Sequence, residues 1–430
     1  MLRKLANIKE TISPLTAFFV GTLFVSGAYG LLNSVLAINL NGAKVPTFYS
    51  GLILSMYYVG YIFATISSYK IINRVGHIRA FSAYISIMSA LVIMHPLWFN
   101  VWYWGSLRLL EGYCMASASI CLESWLNTRA NNQNRGLIMS WYMVTSYLGA
   151  SSGQLMLNIP DALGFVLFVI VSILYSISLV PISLTALASP DVSKHKSMSL
   201  FTLYKIAPVG VIGCIVSGIL VGGVYTLGTI YAQSCGLTLY SISLFMSFSI
   251  LGGMLAQFPI GRLSDKFDRR FVMMWTSASV FLIIPWMHIF ISGSIGELIP
   301  AALLLGSGTF ILYPICVSHV NDKIDDSERL EASGMLLMLQ SIGMIIGPIS
   351  ISFLMQQFGS IFFLISLSSV SGFFVLFCFK HVSFRQDVGY KVITPTDPMP
   401  LAPTHIFSNL AKNDKLLDKA KNLFTLPNKD

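Results

Sequence analysis

Apolar residues run along this chain in twelve long stretches separated by short polar segments. The stretches cover residues 14–37, 48–69, 80–98, 101–125, 136–158, 163–188, 209–232, 239–260, 271–292, 298–319, 332–355 and 359–379. Each has about the 20 residues needed to cross a hydrocarbon layer roughly 30 Å thick. Only helices satisfy their own backbone polar groups there, so strands are excluded despite the many Ile, Val and Phe residues. The pattern therefore predicts twelve transmembrane helices, α1 to α12 in chain order.

A charged loop at residues 261–270, between α8 and α9, has a degraded copy 192 residues earlier, between α2 and α3. The matches are Asn73 with Asp265, Arg74 with Lys266 and Gly76 with Asp268, and in the preceding helices Ser55 with Ser247 and Gly60 with Gly252. Internal repeats of this kind are typical of membrane transporters. We therefore expect an all-α membrane protein made of two pseudo-symmetric six-helix bundles.

The repeat divides the chain into four parts. We expect an N-terminal bundle at residues 1–188, a cytoplasmic linker at 189–206, a C-terminal bundle at 207–380 and a cytoplasmic tail at 381–430. Apolar tail residues that fit one face of a short, lysine-flanked helix are Phe407, Leu410, Leu417 and Phe424. Such a helix suits an anionic lipid surface, and a disordered basic tail is the alternative.

Composition and charge placement support this class of protein. Hydrophobic residues make up 55% of the 430 positions and charged residues only 10%, whereas soluble domains carry about 25% charged residues. The net charge of +9 does not indicate a nucleic-acid partner. All but two of the 27 Lys and Arg residues lie at the termini or in loops that follow even-numbered helices. The positive-inside rule then predicts a multi-pass inner-membrane protein with both termini in the cytoplasm.

Two motifs carry a family resemblance. The loop residues that fit the pattern Gly-x-Leu-Ala-Asp-Arg-x-Gly-Arg-Arg are Gly261, Leu263, Asp265, Lys266, Arg269 and Arg270. On α4, Arg108 and Gly112 fit an Arg-x-x-x-Gly motif. Over about residues 10–385 the chain resembles the major facilitator superfamily. The segments 74–79, 123–127 and 313–322 resemble, more narrowly, its bacterial YcaD-like branch. The resemblance implies the major facilitator fold and transport, without naming a substrate.

Charged residues inside α4 are the first candidates for function, and they are Arg108, Glu111 and Glu123. A charge at bilayer depth costs about 2.5–3.5 kcal/mol on insertion scales, so it requires a partner or a wet cavity. Arg108 and Glu111 are three positions apart and share a helical face, which allows them to pair. In one interpretation, Arg108 binds an anionic group or supports proton exchange at Glu111. In the other, the pair is a permanent structural tie.

Polar and aromatic residues within otherwise apolar helices predict a wet pocket at the membrane midplane. On α1 and α7, which we expect to face each other, these residues are Tyr29, Asn33, Tyr225 and Thr229. On α2, α5, α10 and α11 they are Tyr57, Tyr58, Gln154, Tyr313 and Gln340. With Arg108 and Glu111 they form the expected substrate or proton-coupling site, although interhelical ties remain an alternative for individual members. Three histidines near helix ends are expected to lie at the membrane interface and not to carry protons: His95, His288 and His319.

The family resemblance also implies a cytoplasmic gate of salt bridges. For the first half we expect Glu123, followed by Arg129, to pair with Arg74 and Arg79. For the second half we expect Asp265 to pair with Arg269 and Arg270, with Asp322 completing the cluster. Such bridges would break when the central cavity opens inward.

Signatures of enzymes are absent from the sequence. It has no Gly-rich loop ending in Lys-Ser/Thr and no metal-ligand spacing, and its six cysteines read as buried free thiols. We therefore expect a monomeric, non-enzymatic protein that needs no metal or cofactor and moves a small solute by alternating access. Protons are the expected coupling ion, through Glu111 or Glu123. An ion-independent facilitator and a non-transporting sensor or scaffold are the alternatives.

Overall fold

The computed structural model describes residues 15–129, 134–160, 164–184, 199–291, 295–325 and 328–381. Within them, twelve long helices follow the predicted order. Their bounds are α1 Thr16–Gly42, α2 Thr47–Val75, α3 His77–Met94, α4 Val101–Arg129, α5 Arg135–Leu155, α6 Val166–Ser183, α7 Pro208–Ser234, α8 Leu239–Lys266, α9 Arg269–Ile291, α10 Ile295–Asn321, α11 Arg329–Phe358 and α12 Phe362–His381. A short helix, Leu200–Ile206, precedes α7, and 3-10 turns follow α3 and α5. The rest of the predicted linker and the predicted tail helix lie outside the described residues.

The two ends of the helix bundle differ in their loops. We call the end with the α2–α3 and α8–α9 loops the basic face, and the end with the α1–α2 and α7–α8 loops the opposite face. At the basic face, Gly76 alone separates α2 from α3, with a φ of 85°. Glycine adopts this left-handed conformation freely, which permits so tight a turn. Its counterpart Asp268 caps α9 instead, accepting the Arg270 backbone N–H at 2.8 Å.

The helices have the length and surface of membrane spans. By length and composition, nine of the described helices are suited to cross a membrane. The helices outside that set are α4, α5 and α9, and α4 carries the three internal charges. Large apolar side chains such as Phe63, Trp102 and Leu376 lie exposed on the outer surface. An apolar exterior is expected where the surrounding solvent is hydrocarbon.

Helix packing repeats at an offset of six helices. In the first half, α2 packs on α4, and α1 packs on α5 and α6. In the second half, α8 packs on α10, and α7 packs on α11 and α12. Between the halves, α1 meets α7, while α2 meets α11 and α5 meets α8. Because α2 is equivalent to α8 and α5 to α11, the α2–α11 and α5–α8 contacts are equivalent to each other. This is the pattern of two pseudo-symmetric six-helix bundles, the major facilitator fold.

Glycines at matching positions let equivalent helices cross closely. A Cβ at Gly60 would strike the Leu109 carbonyl, and one at Gly252 would strike the Leu303 carbonyl. The reverse contacts also match, because Gly112 faces the backbone of Tyr57 as Gly306 faces that of Ser249. Small residues permit such close backbone approach between membrane helices. The duplication inferred from sequence is therefore visible as the same helix crossing in both halves.

Two glycines of α4 make a matched test of this crossing. Gly112→Ala places a methyl group against the Tyr57 carbonyl, so we expect a loss of about 1–3 kcal/mol in stability from overpacking. Gly105→Ala adds the same group where the nearest atom is Met56 Cγ at 3.8 Å, so little change is expected. Thermal unfolding of the purified variants in detergent measures both. Equal midpoints for the two variants would contradict the close crossing.

Candidate functional site

The centre of the first half holds a buried charge pair on α4. The Arg108 and Glu111 side chains are 1% and 0% exposed, and Arg108 Nη1 donates to Glu111 Oε2 at 2.9 Å. Arg108 Nη2 donates to Asn33 Oδ1 on α1, also at 2.9 Å. The pairing expected from the three-residue spacing is confirmed, and α1 takes part in it.

His95 completes this cluster as a buried residue. The side chain is 0% exposed, and its Nδ1 lies 3.5 Å from Glu111 Oε1. It begins the 3-10 segment His95–Leu97 after α3, and the Trp104 ring lies edge-on to the imidazole at a centroid distance of 5.1 Å. Its place at the membrane interface stays a prediction. His319 is also buried, at the end of α10, while the side chain of His288 lies outside the described residues. Here hydropathy marked the end of an apolar stretch but not the direction of the chain beyond it.

Aromatic rings extend from the charge cluster into the other half. The Arg108 guanidinium lies 4.5 Å from the ring centroid of Tyr57, a cation–π distance. From Tyr57, ring contacts continue to Tyr29 at 5.4 Å, from Tyr29 to Tyr225 at 5.9 Å, and from Tyr225 to Phe310 at 5.2 Å. Three residues predicted for the pocket therefore meet, and Tyr29 and Tyr225 join α1 to α7 as the repeat suggested.

A polar chain crosses between the halves beside these rings. On α1, Ser34 donates to Gln154 Oε1 at 2.6 Å and lies 3.0 Å from the Thr229 hydroxyl of α7. Gln154 in turn donates to the Gly30 carbonyl at 2.8 Å. Ser34 follows Asn33 directly, so one segment of α1 contacts both the buried charges and the second half.

The other predicted pocket residues have different neighbours. Tyr58 packs edge-on against Tyr57 at 5.3 Å and thus joins the aromatic group. The Tyr313 side chain is buried, and its hydroxyl has no hydrogen-bond partner among the described residues. The Gln340 backbone carbonyl faces Gly218 at the crossing of α7 and α11. Tyr313 and Gln340 therefore stay predictions as members of the site.

At the basic face of the second half, Arg269 holds three helices together. Its side chain is 9% exposed, and its Nε donates to Asp322 Oδ2 at 2.5 Å. The same guanidinium contacts Asp265 at 3.3 Å and donates to the Ser264 hydroxyl at 3.0 Å. The ends of α8 and α10 are thereby tied to the start of α9. The expected contacts of Arg269 with Asp265 and Asp322 are present.

Arg270 pairs with Asp268 at 2.7 Å rather than with Asp265, because both residues lie on one helix start. Burial raises the pKa of Asp268, but hydrogen bonds from the Arg270 side chain and backbone outweigh it, leaving the pKa below its usual value. The contact with Asp268 is local to the turn, whereas Arg270 Nη1 also donates to the His381 carbonyl at 3.0 Å and ties α9 to the end of α12. The prediction that Arg270 pairs with Asp265 is not met in this structure.

The first half shows a different arrangement at the basic face. Glu123 is half-buried and accepts a hydrogen bond from the Tyr142 hydroxyl at 3.1 Å. Arg74 and Arg79 are exposed, and no ion pair within the described residues joins them to Glu123. The Arg129 side chain lies outside the described residues. The gate role of these four residues therefore stays a prediction.

Contacts between the halves concentrate near the opposite face. The Phe48 N–H donates to Gln356 Oε1 at 2.9 Å, joining α2 to α11. The hydroxyls of Ser151 and Ser247 lie 2.6 Å apart and join α5 to α8. The Asn158 amide donates to the Ser243 hydroxyl at 2.8 Å and adds a further contact between the halves in this part of the bundle. The molecule is therefore closed at the opposite face.

Sequence reasoning missed His95 and Ser34, and only His95 left a usable signal. Trp104, Arg108 and Glu111 lie at i, i+4 and i+7, on one face of α4. In a hairpin that turns near Asn100, that face returns past the end of α3, where His95 lies. Ser34 had no signal, because a lone serine in a membrane helix usually bonds its own backbone.

Two homologous helical halves that meet around a buried polar cluster define a multi-pass membrane transporter, not an enzyme. Within the described residues, no group of three His, Cys, Asp or Glu side chains is placed to hold a metal ion. Comparisons with known proteins give the same class. The model of the Major Facilitator Superfamily matches residues 211–416.

Related sequences and structures agree with one another. An uncharacterized MFS-type transporter, YcaD of Salmonella typhi, is 29% identical over 377 residues, covering 86% of this chain and 96% of that protein. YcaD of Salmonella newport is 28% identical, with the same coverage. A variant of the nucleoside transporter NupG has a TM-score of 0.72 at 14% identity, covering 86% of this chain and 100% of that one. A bacterial homologue of the human lysosomal transporter Spinster, inward-facing and occupied, has a TM-score of 0.69 at 14% identity, covering 86% and 97%.

At such low identities the solved structures show a shared fold and nothing finer. Together with the sequence matches, they show that this chain is similar to transporters of the major facilitator superfamily and resembles the YcaD-like bacterial branch.

Proposed function

We propose that this protein is a proton-coupled secondary transporter of a small solute in the bacterial inner membrane. It works as a monomer, with both termini in the cytoplasm. The basic face is then cytoplasmic, because lysine and arginine accumulate on that side. The state described above is then closed at the face away from the cytoplasm.

The buried Arg108–Glu111 pair carries the proposal. Charges at this depth are expensive, and they persist where they serve an ion or substrate pathway. The pair contacts α1 through Asn33, and α1 contacts the second half through Ser34 and Tyr29. A change at the pair can therefore act through α1 on the interface along which the two halves rock. Glu111 is the proposed proton-exchanging group, because its carboxylate is fully buried and lies in the contact network that reaches the second half.

The substrate pocket is proposed where aromatic rings and polar groups of both halves converge. Tyr29 and Tyr225 remain partly exposed in the middle of their helices, as side chains lining an internal cavity would be. Tyr57 places its ring between this region and Arg108. Small solutes with apolar faces and a few hydrogen-bonding groups suit such a lining.

The deciding experiment measures solute movement and proton movement together. Metabolites that raise the unfolding temperature of the purified protein are tested for counterflow in liposomes that contain a trapped pH dye. We expect exchange of at least one solute, accompanied by a pH change that Glu111→Gln removes. Exchange without any pH change would identify a facilitator. Stabilising solutes that never exchange would contradict transport and favour a sensor.

A further inference from the structure

The His95 imidazole is built into the charge cluster with one nitrogen unused. Its Nδ1 lies 3.2 Å from the Leu91 carbonyl oxygen, so the hydrogen-bond network assigns the ring proton to Nδ1. That N–H also faces Glu111 Oε1 at 3.5 Å. Within the described residues, neither His95 Nε2 nor Glu111 Oε1 has a hydrogen-bond partner, although both are fully buried. Buried polar atoms without partners are costly, so a functional reason for them is expected.

The charges of the cluster balance only while His95 is neutral. Arg108 contributes +1 and Glu111 contributes −1, and both are buried. A proton added to His95 Nε2, or to the Glu111 carboxylate, leaves one uncompensated positive charge. An unbalanced charge in a low-dielectric interior is strongly unfavourable unless water or an anion reaches it. Proton uptake therefore favours any conformation that hydrates the cluster.

Other titratable groups around the cluster do not take this proton. Those that face it from α1, α2, α4 and α6 are Tyr29, Tyr57, Cys114 and Tyr175. Phenols and thiols are ordinarily neutral between about pH 5 and pH 8. A guanidinium is not deprotonated in proteins. His95 and Glu111 are the groups left to respond.

We propose that His95 and Glu111 together form a proton-binding site whose occupancy favours opening at the opposite face. This inference rests on the proposed transport function and adds His95 to it. An imidazolium at His95 competes with Arg108 for the Glu111 carboxylate. The hydrogen bond from Arg108 to Asn33 is then made in a changed charge environment. Ser34, which contacts Thr229 of the other half, follows Asn33 on the same turn of α1.

The direction of opening follows from the depth of the site. Arg108 is seven residues into α4, or about 10 Å from the opposite face at 1.5 Å per residue. His95 lies closer still to that face, beneath Trp104. Separation of the halves there brings water near the cluster, which is buried in this structure while that face is closed. The hydrated state binds the proton more tightly, so acid shifts the population toward it.

A distance measurement between the halves tests this inference without any substrate. Spin labels at Lys44→Cys and Gln357→Cys report on exposed positions of opposite halves at the opposite face. The background carries Cys235→Ser, because the other five thiols are buried. From about pH 8 to about pH 5, where histidine titrates, we expect the population with the longer distance to rise at least about threefold. His95→Gln and Glu111→Gln should each remove this response.

His77→Gln is the matched control, because His77 is a buried histidine of the same half at the basic face. It should leave the pH response intact. Size-exclusion profiles and the distances at about pH 8 show whether each variant is folded. If His95→Gln does not fold, His95→Asn is used in its place. A response that survives His95→Gln overturns the inference but leaves transport standing. A single distance at every pH overturns the inference and, with failed counterflow, the transport function as well.

Discussion

Replacement of Arg108 by alanine is expected to abolish transport while the protein still reaches the membrane. The guanidinium holds Glu111 and Asn33 at 2.9 Å and lies over Tyr57, so its loss removes the hydrogen bond from α4 to Asn33 of α1 and the contact with the Tyr57 ring. We expect the transport rate to fall about 100-fold or more, equivalent to roughly 3 kcal/mol. Initial rates in liposomes, normalised to the amount of inserted protein, measure this loss.

A double variant separates function from structural support. Arg108→Met with Glu111→Gln removes both charges, and neutral replacement of a buried pair is often tolerated by the fold. If the pair were only a permanent tie, this variant would regain transport; we expect it to fold and remain inactive. Arg262→Ala, an exposed arginine stacked on Phe258, is the control for loss of a positive charge. Normal transport in Arg108→Ala would refute the proposed role.

Asp322→Asn is expected to have the second largest effect, on the stability of the second half. It removes the charge closest to Arg269, which is only 9% exposed and has little water to replace that partner. Because Asp322 itself is partly exposed, we expect a loss of about 1–2 kcal/mol in the free energy of unfolding. Thermal unfolding in detergent gives this value, and spin labels at the basic face report the accompanying shift between conformations.

Asp265→Asn provides a graded comparison at the same arginine. Asp265 lies at 3.3 Å from Arg269 and is 51% exposed, so water replaces much of its contribution. The stability loss should therefore be smaller than for Asp322→Asn. Equal losses, or a larger loss for Asp265→Asn, would contradict the assignment of Asp322 as the principal partner.

Much of the fold was accessible from sequence because lipid imposes few solutions. Apolar length and the placement of lysine and arginine predicted twelve helices, and the repeat, with matches such as Gly60 and Gly252, predicted two equivalent six-helix halves. The Arg108–Glu111 contact was also predictable, since a spacing of three residues places two side chains on one helical face. These inferences depend on local geometry that every membrane helix obeys.

Other parts of the site depend on information that local patterns do not contain. The position of His95 depends on the direction of the chain after α3, and the end of an apolar stretch does not indicate that direction. The partner of Glu123 depends on which face is closed, and one sequence serves both conformations. Resemblance to a family suggested Arg74 and Arg79, whereas the state described here places Tyr142 beside the carboxylate.

The seam between the halves has an energetic consequence. Its hydrogen bonds join hydroxyls, amides and one backbone N–H, and among the described residues no ion pair crosses it. Neutral hydrogen bonds contribute only about 0.5–1.5 kcal/mol each, because water replaces them when they break. These hydrogen bonds therefore contribute modestly to the energy barrier between conformations and to the preference for one of them. Differential binding of a proton or a solute by a few kcal/mol is enough to reverse which conformation is preferred.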